Sequence, residues 1–537
     1  ENEKVIYDCF SNEDFVKKLL EFLSLEDRKG KDKFSARRFI LFKGLFRDFG
    51  DTFLPVFKPH LTQLAQSGQE SDQRCLAEIV SGLSRGSKHW GFTKTSQMWE
   101  FLVPILKTAL SQVTVETLND WATSLSTMCE SRDPRKLHWL LEMLMEFPTN
   151  VKSGSFLEAS WLLILQGSLA QQEWRIPELL HRLLDYLEQN LAHSYKNVRN
   201  RIGSTLGIVF LYDCALPNGR PSSPHSESFL DRVLPRLSPL RDLDPSTSTE
   251  GANHVVAAVG DKDSGEKEDA IRTCKTVMKC TLSRLFAPTS TGVYKLLPLV
   301  APLESYESDE ELSHLTQVWM GTMAKTLLKP EVVPIVLHSL QEIAQGTSWR
   351  AKISLLAYLQ VMVYYNLFTV SSQAQCVATI HQLVLDLLKD DRLEVREMAG
   401  TTLSGLLHCG VFSIEPKLQS HFENLCKTRL PTKKVRLQSN FSNEEFAASV
   451  VQRHAGIIGL SACIQAYPYD VPEWMPAVLM DLTDHLHDPQ PIEMTVRKTL
   501  SDFRRTHHDN WHEHKQQFTD DQLVVLTNLL VSPCYYA

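Results

Sequence analysis

Apolar residues recur along this chain at steps of three and four, in segments of ordinary helix length divided by short polar breaks. The segments come in pairs. Phe34 to Phe49 is followed by Leu54 to Ala65, and Arg74 to Leu83 by Met98 to Leu110. Thr117 to Met128 precedes Arg135 to Phe147, and Phe156 to Leu169 precedes Pro177 to Leu191. The step from one pair to the next is roughly forty residues, the period of HEAT-type repeats. Strand patterns are poor. No alternation is sustained, and the Asn-Gly at Asn218 lies in a Pro/Ser-rich stretch rather than between apolar runs. The pattern predicts an all-α HEAT/armadillo-like repeat solenoid, in which each helix pair buries its apolar face against the next pair.

A second mark recurs. Several helices open with a polar turn and then Val-Arg: Tyr195-Lys196-Asn197-Val198-Arg199, Asp391-Arg392-Leu393-Glu394-Val395-Arg396 and Glu493-Met494-Thr495-Val496-Arg497. In HEAT repeats an Asp caps such a turn and the Arg is expected to reach the neighbouring repeat, forming a ladder along the stack.

Two stretches break the pattern. Pro217 to about Asp269 is rich in Pro, Ser, Gly and Asp and ends in an acidic run from Asp261 to Asp269, so it reads as a mobile insert. Lys427 to about Asn443 carries Lys427, Arg429, Lys433, Lys434 and Arg436 and reads as a solvated basic loop, an import signal or an anion contact. The expected order is HEAT-like repeats over 1–216, the insert over 217–269 and further repeats over 270–345. A helical segment over 346–432 and a basic, polar linker over 433–443 come next. The last repeats fill 444–531, and a tail occupies 532–537.

Composition narrows the function. A chain of 537 residues exceeds one ordinary core, and starting at Glu1 without Met it is expected to be part of something longer. A net charge of −8 argues against a direct nucleic-acid binder. No apolar run is long enough to suggest a membrane partner. The 11 cysteines are scattered without a C-x-x-C pair and read as reduced, buried thiols. The Gly30-Lys31 pair lacks the glycine and Ser/Thr of a phosphate-binding loop, and there is no Gly-x-Ser-x-Gly elbow. His507, His508, His512 and His514 cluster, and on one helix His508 and His512 would share a face as two metal ligands do. No third ligand is evident, so the cluster reads as a polar helix face. Neither a catalytic residue nor a metal site is expected, and no cofactor is required.

The C-terminus is distinctive. Thr519, followed by Asp520 and Asp521, suits a helix start, and Pro533 forbids continuation of that helix. The chain then leaves as Cys534-Tyr535-Tyr536-Ala537 with a free carboxylate able to meet a lysine in a narrow pocket. The penultimate tyrosine offers ring area and one O–H.

Several blocks near that end resemble the large HEAT-repeat proteasome activator family. They are Met494 to Leu500, Phe503 to Trp511, Gln516 to Leu523, Pro468-Tyr469-Asp470-Val471-Pro472 and Arg453-His454-Ala455-Gly456. The resemblance implies part of a dome that caps the α-subunit ring of the proteasome core particle without ATP. It implies that Tyr535, Tyr536 and Ala537 insert between α subunits and promote gate opening. It further implies nuclear and cytoplasmic residence, ubiquitin-independent degradation of acetylated histones in DNA repair and spermatogenesis, and binding of inositol phosphates. Within 346–432 the resemblance implies a bromodomain-like segment whose acetyl-lysine pair is Asn then Phe. Here Thr401 to Leu407 and Cys409 are kept, but the pair is Gly410 and Val411. The amide that would bond an acetyl carbonyl is missing, so acetylated histone tails are expected to bind weakly or not at all through it. The rival reading is a karyopherin-like scaffold that holds peptides on a concave face and whose terminus is idle.

Overall fold

The computed structural model describes residues 1–25, 34–146, 154–220, 222–244, 261–283, 290–431 and 442–530. They divide into two compact units, Glu1–Arg236 with Asp261–Ser290, and Leu237–Gly260 with Thr291–Ala537. Each unit is a stack of helix pairs, and helix is the dominant regular structure among the described residues.

In the first unit the helices used below are α1 (Ala36–Asp48), α2 (Leu54–Gln66), α3 (Glu70–Gly86), α4 (Phe92–Ser111), α5 (Leu118–Cys129), α6 (Gly154–Ala170), α7 (Lys196–Val209) and α8 (Asp261–Leu282). α1, α3, α5, α6, α7 and α8 lie side by side in one row, while α2 and α4 begin the second row. Flanked on both sides, α3 is buried almost all round, including Glu78 and Ser81. Buried polar groups need partners. Glu78 accepts from Ser35 N at 2.6 Å and from Arg38 Nη1 at 3.4 Å. The Ser81 and Ser124 hydroxyls meet at 2.7 Å across a separation of 43 residues. Trp90 Nε1 donates to the Phe46 carbonyl across 44 residues, and Gln172 Nε2 to the Cys129 carbonyl across 43. The predicted period thus reappears as the interval between residues that join one repeat to the next.

In the second unit the row is α9 (Trp349–Tyr365), α11 (Leu393–His408), α13 (Asn443–Gln465) and α15 (Ile492–His507). Beside it run α10 (Ala374–Leu387), α12 (Pro416–Cys426), α14 (Met475–Thr483) and, last, α16 (Asp520–Leu530). α13 starts with a capping box, Ser442 Oγ accepting from Glu445 N while Glu445 Oε2 accepts from Ser442 N. By length and composition alone α13 could cross a membrane. Its packing against α11, α12 and α15 makes it a core helix instead.

Two expectations are corrected. The stretch over 217–269 is not one unordered insert. Ser226–Val233 is helical and Leu234–Leu243 continues as 3-10 turns, burying Phe229, Leu230, Val233, Leu237 and Leu240. Each such side chain contributes about 1.5–3 kcal/mol on burial, which outweighs the Pro/Ser character around it. The acidic run opens α8, whose later turns complete the first unit's row. Residues 245–260 lie outside the described residues. The boundary between units accordingly does not follow the expected 216/217 or 269/270 divisions.

The second correction concerns the Val-Arg marks. Arg199 Nη1 donates to the His193 and Ser194 carbonyls, and Arg396 Nη1 to those of Asp390 and Asp391. These buried guanidiniums close the turn of their own repeat. Arg396 also reaches a neighbour, His454. Arg497 stays on the surface, paired with Glu493 one turn earlier.

Candidate functional site

The C-terminal platform is built from α14, α15 and α16. Thr519 caps α16 as the sequence suggested and does so reciprocally. Thr519 N donates to Gln522 Oε1 at 2.9 Å, and Gln522 N donates to Thr519 Oγ1 at 3.3 Å. Asp520 and Asp521 then place negative charge in the first turn, where the helix dipole favours it. Leu526 is buried and anchors the helix, which packs on α14 and α15. Before the cap, Phe518 enters an aromatic cluster with Phe503 and Trp511, at ring separations of 6.3 and 5.7 Å. Val524 remains 60% exposed on the same helix. The residues expected to act, Tyr535, Tyr536 and Ala537, lie outside the described residues. What the structure places is the capped, anchored helix that leads to them.

The histidine cluster is divided by the fold. α15 ends at His507 and the next short helix, Trp511–His514, begins after a turn, so His508 and His512 do not share a helix face. His507 is buried, stacks on Phe503 at 4.3 Å and bonds the Asp470 carbonyl through Nε2 at 3.0 Å. Among the described residues no group of three or more His, Cys, Asp or Glu side chains is placed to hold a metal ion.

Gly410 and Val411 form the end of α11. Gly410 has φ +78°, its N–H bonds the Leu407 carbonyl, and Val411 N–H bonds that of Leu406. This is the Schellman arrangement, which wants glycine or asparagine at the left-handed position. Glycine meets that backbone demand and brings no side-chain amide to the turn. Phe412 is buried edge-on against His381 at 5.0 Å and presents no ring at the turn. Of the basic loop, Lys427 and Arg429 are exposed, whereas Lys433, Lys434 and Arg436 lie outside the described residues.

One constellation escaped the sequence reading. His454 is wholly buried between three repeats. Arg396 Nε donates to His454 Nδ1 at 3.1 Å, so that nitrogen carries no proton. His454 Nε2 in turn donates to Thr495 Oγ1 at 2.8 Å, and Thr495 Oγ1 to the Pro491 carbonyl at 3.1 Å. Burial, aided by the Arg396 charge, pushes the His454 pKa down to about 3, so the ring is neutral at physiological pH. Beside it, Arg453 holds the Thr428 carbonyl and both oxygens of Asp488, at 2.9 and 3.0 Å. The two halves of this bridge lie 58 residues apart, and neither marks the other in sequence.

Residues 1–167 match the family described as proteasome activator complex subunit 4-like, HEAT repeat-like, and residues 450–537 match its C-terminal counterpart. The chain is 56% identical to proteasome activator complex subunit 4B of Danio rerio over its whole length, covering 30% of that protein. It is 54% identical to the human subunit 4, covering 29% of it. To proteasome activator subunit 4 of Arabidopsis thaliana it is 24% identical over 95% of this chain and 29% of the relative. Among solved structures, the karyopherin Kap121p, bound to the extreme C-terminus of the phosphatase Cdc14p, aligns with 99% of this chain and 50% of its own. That match has a TM-score of 0.45 at 13% identity. The chain spans about 30% of the length of the vertebrate relatives it matches, and it belongs to the proteasome activator complex subunit 4 family.

Proposed function

We propose that this chain is the part of a non-enzymatic, ATP-independent proteasome activator that docks on the α-subunit ring of the core particle and promotes opening of its gate. The observation that carries the reading is identity of 54–56% with named proteasome activators along the whole chain. Tyr535, Tyr536 and Ala537 are the docking residues. The Ala537 carboxylate pairs with a lysine in a pocket between α subunits, Tyr536 packs on the pocket rim and bonds through its O–H, and Tyr535 fills the apolar position. The capped and anchored α16 gives that tail a fixed point of departure. A charge-assisted bond of this kind contributes about 1.5–3 kcal/mol. The wider reading follows the family. It places the protein in nucleus and cytoplasm, as part of a dome, with inositol phosphates as ligands and acetylated histones among the proteins degraded. The last of these does not depend on direct acetyl-lysine reading at Gly410 and Val411.

The test is peptide hydrolysis by core particle saturated with wild type, Tyr536→Ala or a protein extended by one residue after Ala537. The extension moves the carboxylate by roughly 3.5 Å, which breaks its pairing, and Tyr536→Ala removes the rim contact. Both should stimulate less than wild type at saturation. Equal stimulation by all three would show that the tail is not the trigger.

A further inference from the structure

In the second unit a groove of about 550 Å³ opens along the row formed by α9, α11, α13 and α15. Its floor is Ile458 of α13, seated against the α11 backbone at Gly400. A Cβ at position 400 would overlap Ile458 Cγ2, so glycine there sets the depth of the floor. Thr495, Ser461 and Thr499 also line the groove, and the Arg396–His454–Thr495 bridge and the Thr499 to Ser461 hydrogen bond at 2.8 Å tie α11, α13 and α15 together. The walls carry Met398 and Met494, the latter 53% exposed despite being a large apolar side chain. One rim carries Glu394 and Glu397, three apart on α11 and hence on one face. Both are exposed, and neither has an ion-pair partner among the described residues. Lys498 stands on α15, likewise without a carboxylate among the described residues.

We propose that this groove binds an extended basic segment of another polypeptide, a lysine or arginine side chain lying along it. The aliphatic stem of that side chain would lie over Met398 and Met494. Thioether side chains adapt to varied apolar partners, and a long basic side chain buries its stem while keeping its head wet. The cationic head meets Glu394 and Glu397, whose two negative charges outnumber the single positive charge of Lys498. Lys498 is left to bond a carbonyl of the bound backbone. An acidic peptide fits worse, since it would offer one favourable partner and two repulsive ones. The size suits one long side chain with its flanking backbone and lies in the range of sites that hold small ligands. Because the bridge fixes the three helices, the groove is formed before anything enters it, which lowers the ordering cost of binding.

The test uses this chain and a fluorescein-labelled peptide of glycine, alanine and leucine containing two lysines. A counterpart replaces each lysine by norleucine, which keeps the stem and removes the charge. Fluorescence anisotropy should show saturable binding of the lysine peptide and about tenfold weaker binding of the norleucine peptide. The double variant Glu394→Gln/Glu397→Gln should lose that preference without a change in melting, as both side chains are exposed. A second variant, Met494→Lys, alters the opposite wall and should weaken the lysine peptide by a similar factor. Absence of saturable binding, equal binding of the two peptides, or wild-type affinity in both variants would overturn the proposal. So would tighter binding of a glutamate-containing peptide, which would make Lys498 the reader.

Discussion

Buried His454 makes a sharp prediction about pH. In the folded protein its pKa is held at about 3 by burial and by the Arg396 guanidinium. In the unfolded chain the ring returns to about 6.5. Between those values the unfolded state binds a proton that the folded state refuses. The stabilisation is therefore fully present above about pH 6.5 and is lost as pH falls towards 3. The slope is about 1.4 kcal/mol per pH unit, so lowering the pH from 7.5 to 5 removes about 2 kcal/mol through this group. His454→Gln supplies a perturbation with no titration, because the amide oxygen can accept from Arg396 and the amide nitrogen can donate to Thr495. At pH 7.5 the variant should be less stable by about 1–2 kcal/mol, from poorer hydrogen-bond geometry in a closed space. By pH 5 that gap should have closed. His381, His421 and His514 are also held below the usual range by burial and contribute a slope of the same sign. They do so in both proteins, so the difference between the two curves isolates His454. Urea unfolding followed by circular dichroism at pH 7.5, 6 and 5 measures it. Parallel curves for wild type and His454→Gln would refute the assignment of a buried neutral ring.

Three further outcomes are expected. Gly410→Val should lower stability by about 1–2 kcal/mol, the penalty of a left-handed residue with a side chain, whereas Gly410→Asn should melt close to wild type; a melting comparison decides. Acetylated histone-tail peptides should bind the wild-type segment over 346–432 no better than unmodified ones, and Gly410→Asn/Val411→Phe should raise their relative affinity, read by titration calorimetry. Leu526→Ala should destabilise the seating of α16 by about 2–5 kcal/mol and reduce stimulation of the core particle, while Val524→Ala at an exposed position should do neither; hydrogen exchange over Thr519 to Thr527 with the peptidase assay reports both.

The helix pairs were legible because apolar spacing is a local property. Thr117 to Met128, for example, became Leu118–Cys129, and Leu54 to Ala65 became Leu54–Gln66. The cap of α16 was legible for the same reason, since Thr519 and Gln522 lie within one turn. Ser226 to Leu243 was misread because Pro and Ser dominate the composition of its surroundings. Phe229, Leu230, Val233, Leu237 and Leu240 nevertheless fall on a helical spacing that packing can use. Two of the three Val-Arg marks, Arg199 and Arg396, prove to be buried, but their acceptors were hidden, because backbone carbonyls leave no trace in residue identity. The His454 bridge was illegible for the plainest reason: its members sit on three helices and meet only once the stack has formed. Gly410 could be read as the loss of an amide. Its φ of +78° adds that the position was already one where only Gly or Asn sits comfortably.

The bridge also has a mechanical meaning. A pull exerted on α16 passes first into α14 and α15, on which it packs. From α15 it reaches Thr495, then His454 on α13, then Arg396 on α11, through hydrogen bonds of 2.8 and 3.1 Å. Arg396 hands it to the Asp390 and Asp391 carbonyls at the root of its own repeat. A stack held by apolar contact alone would shear at its last boundary, since each layer would slide on the next. Here hydrogen bonds as well as apolar contact join three layers, so a displacement of α15 has to disturb α13 and α11 as well.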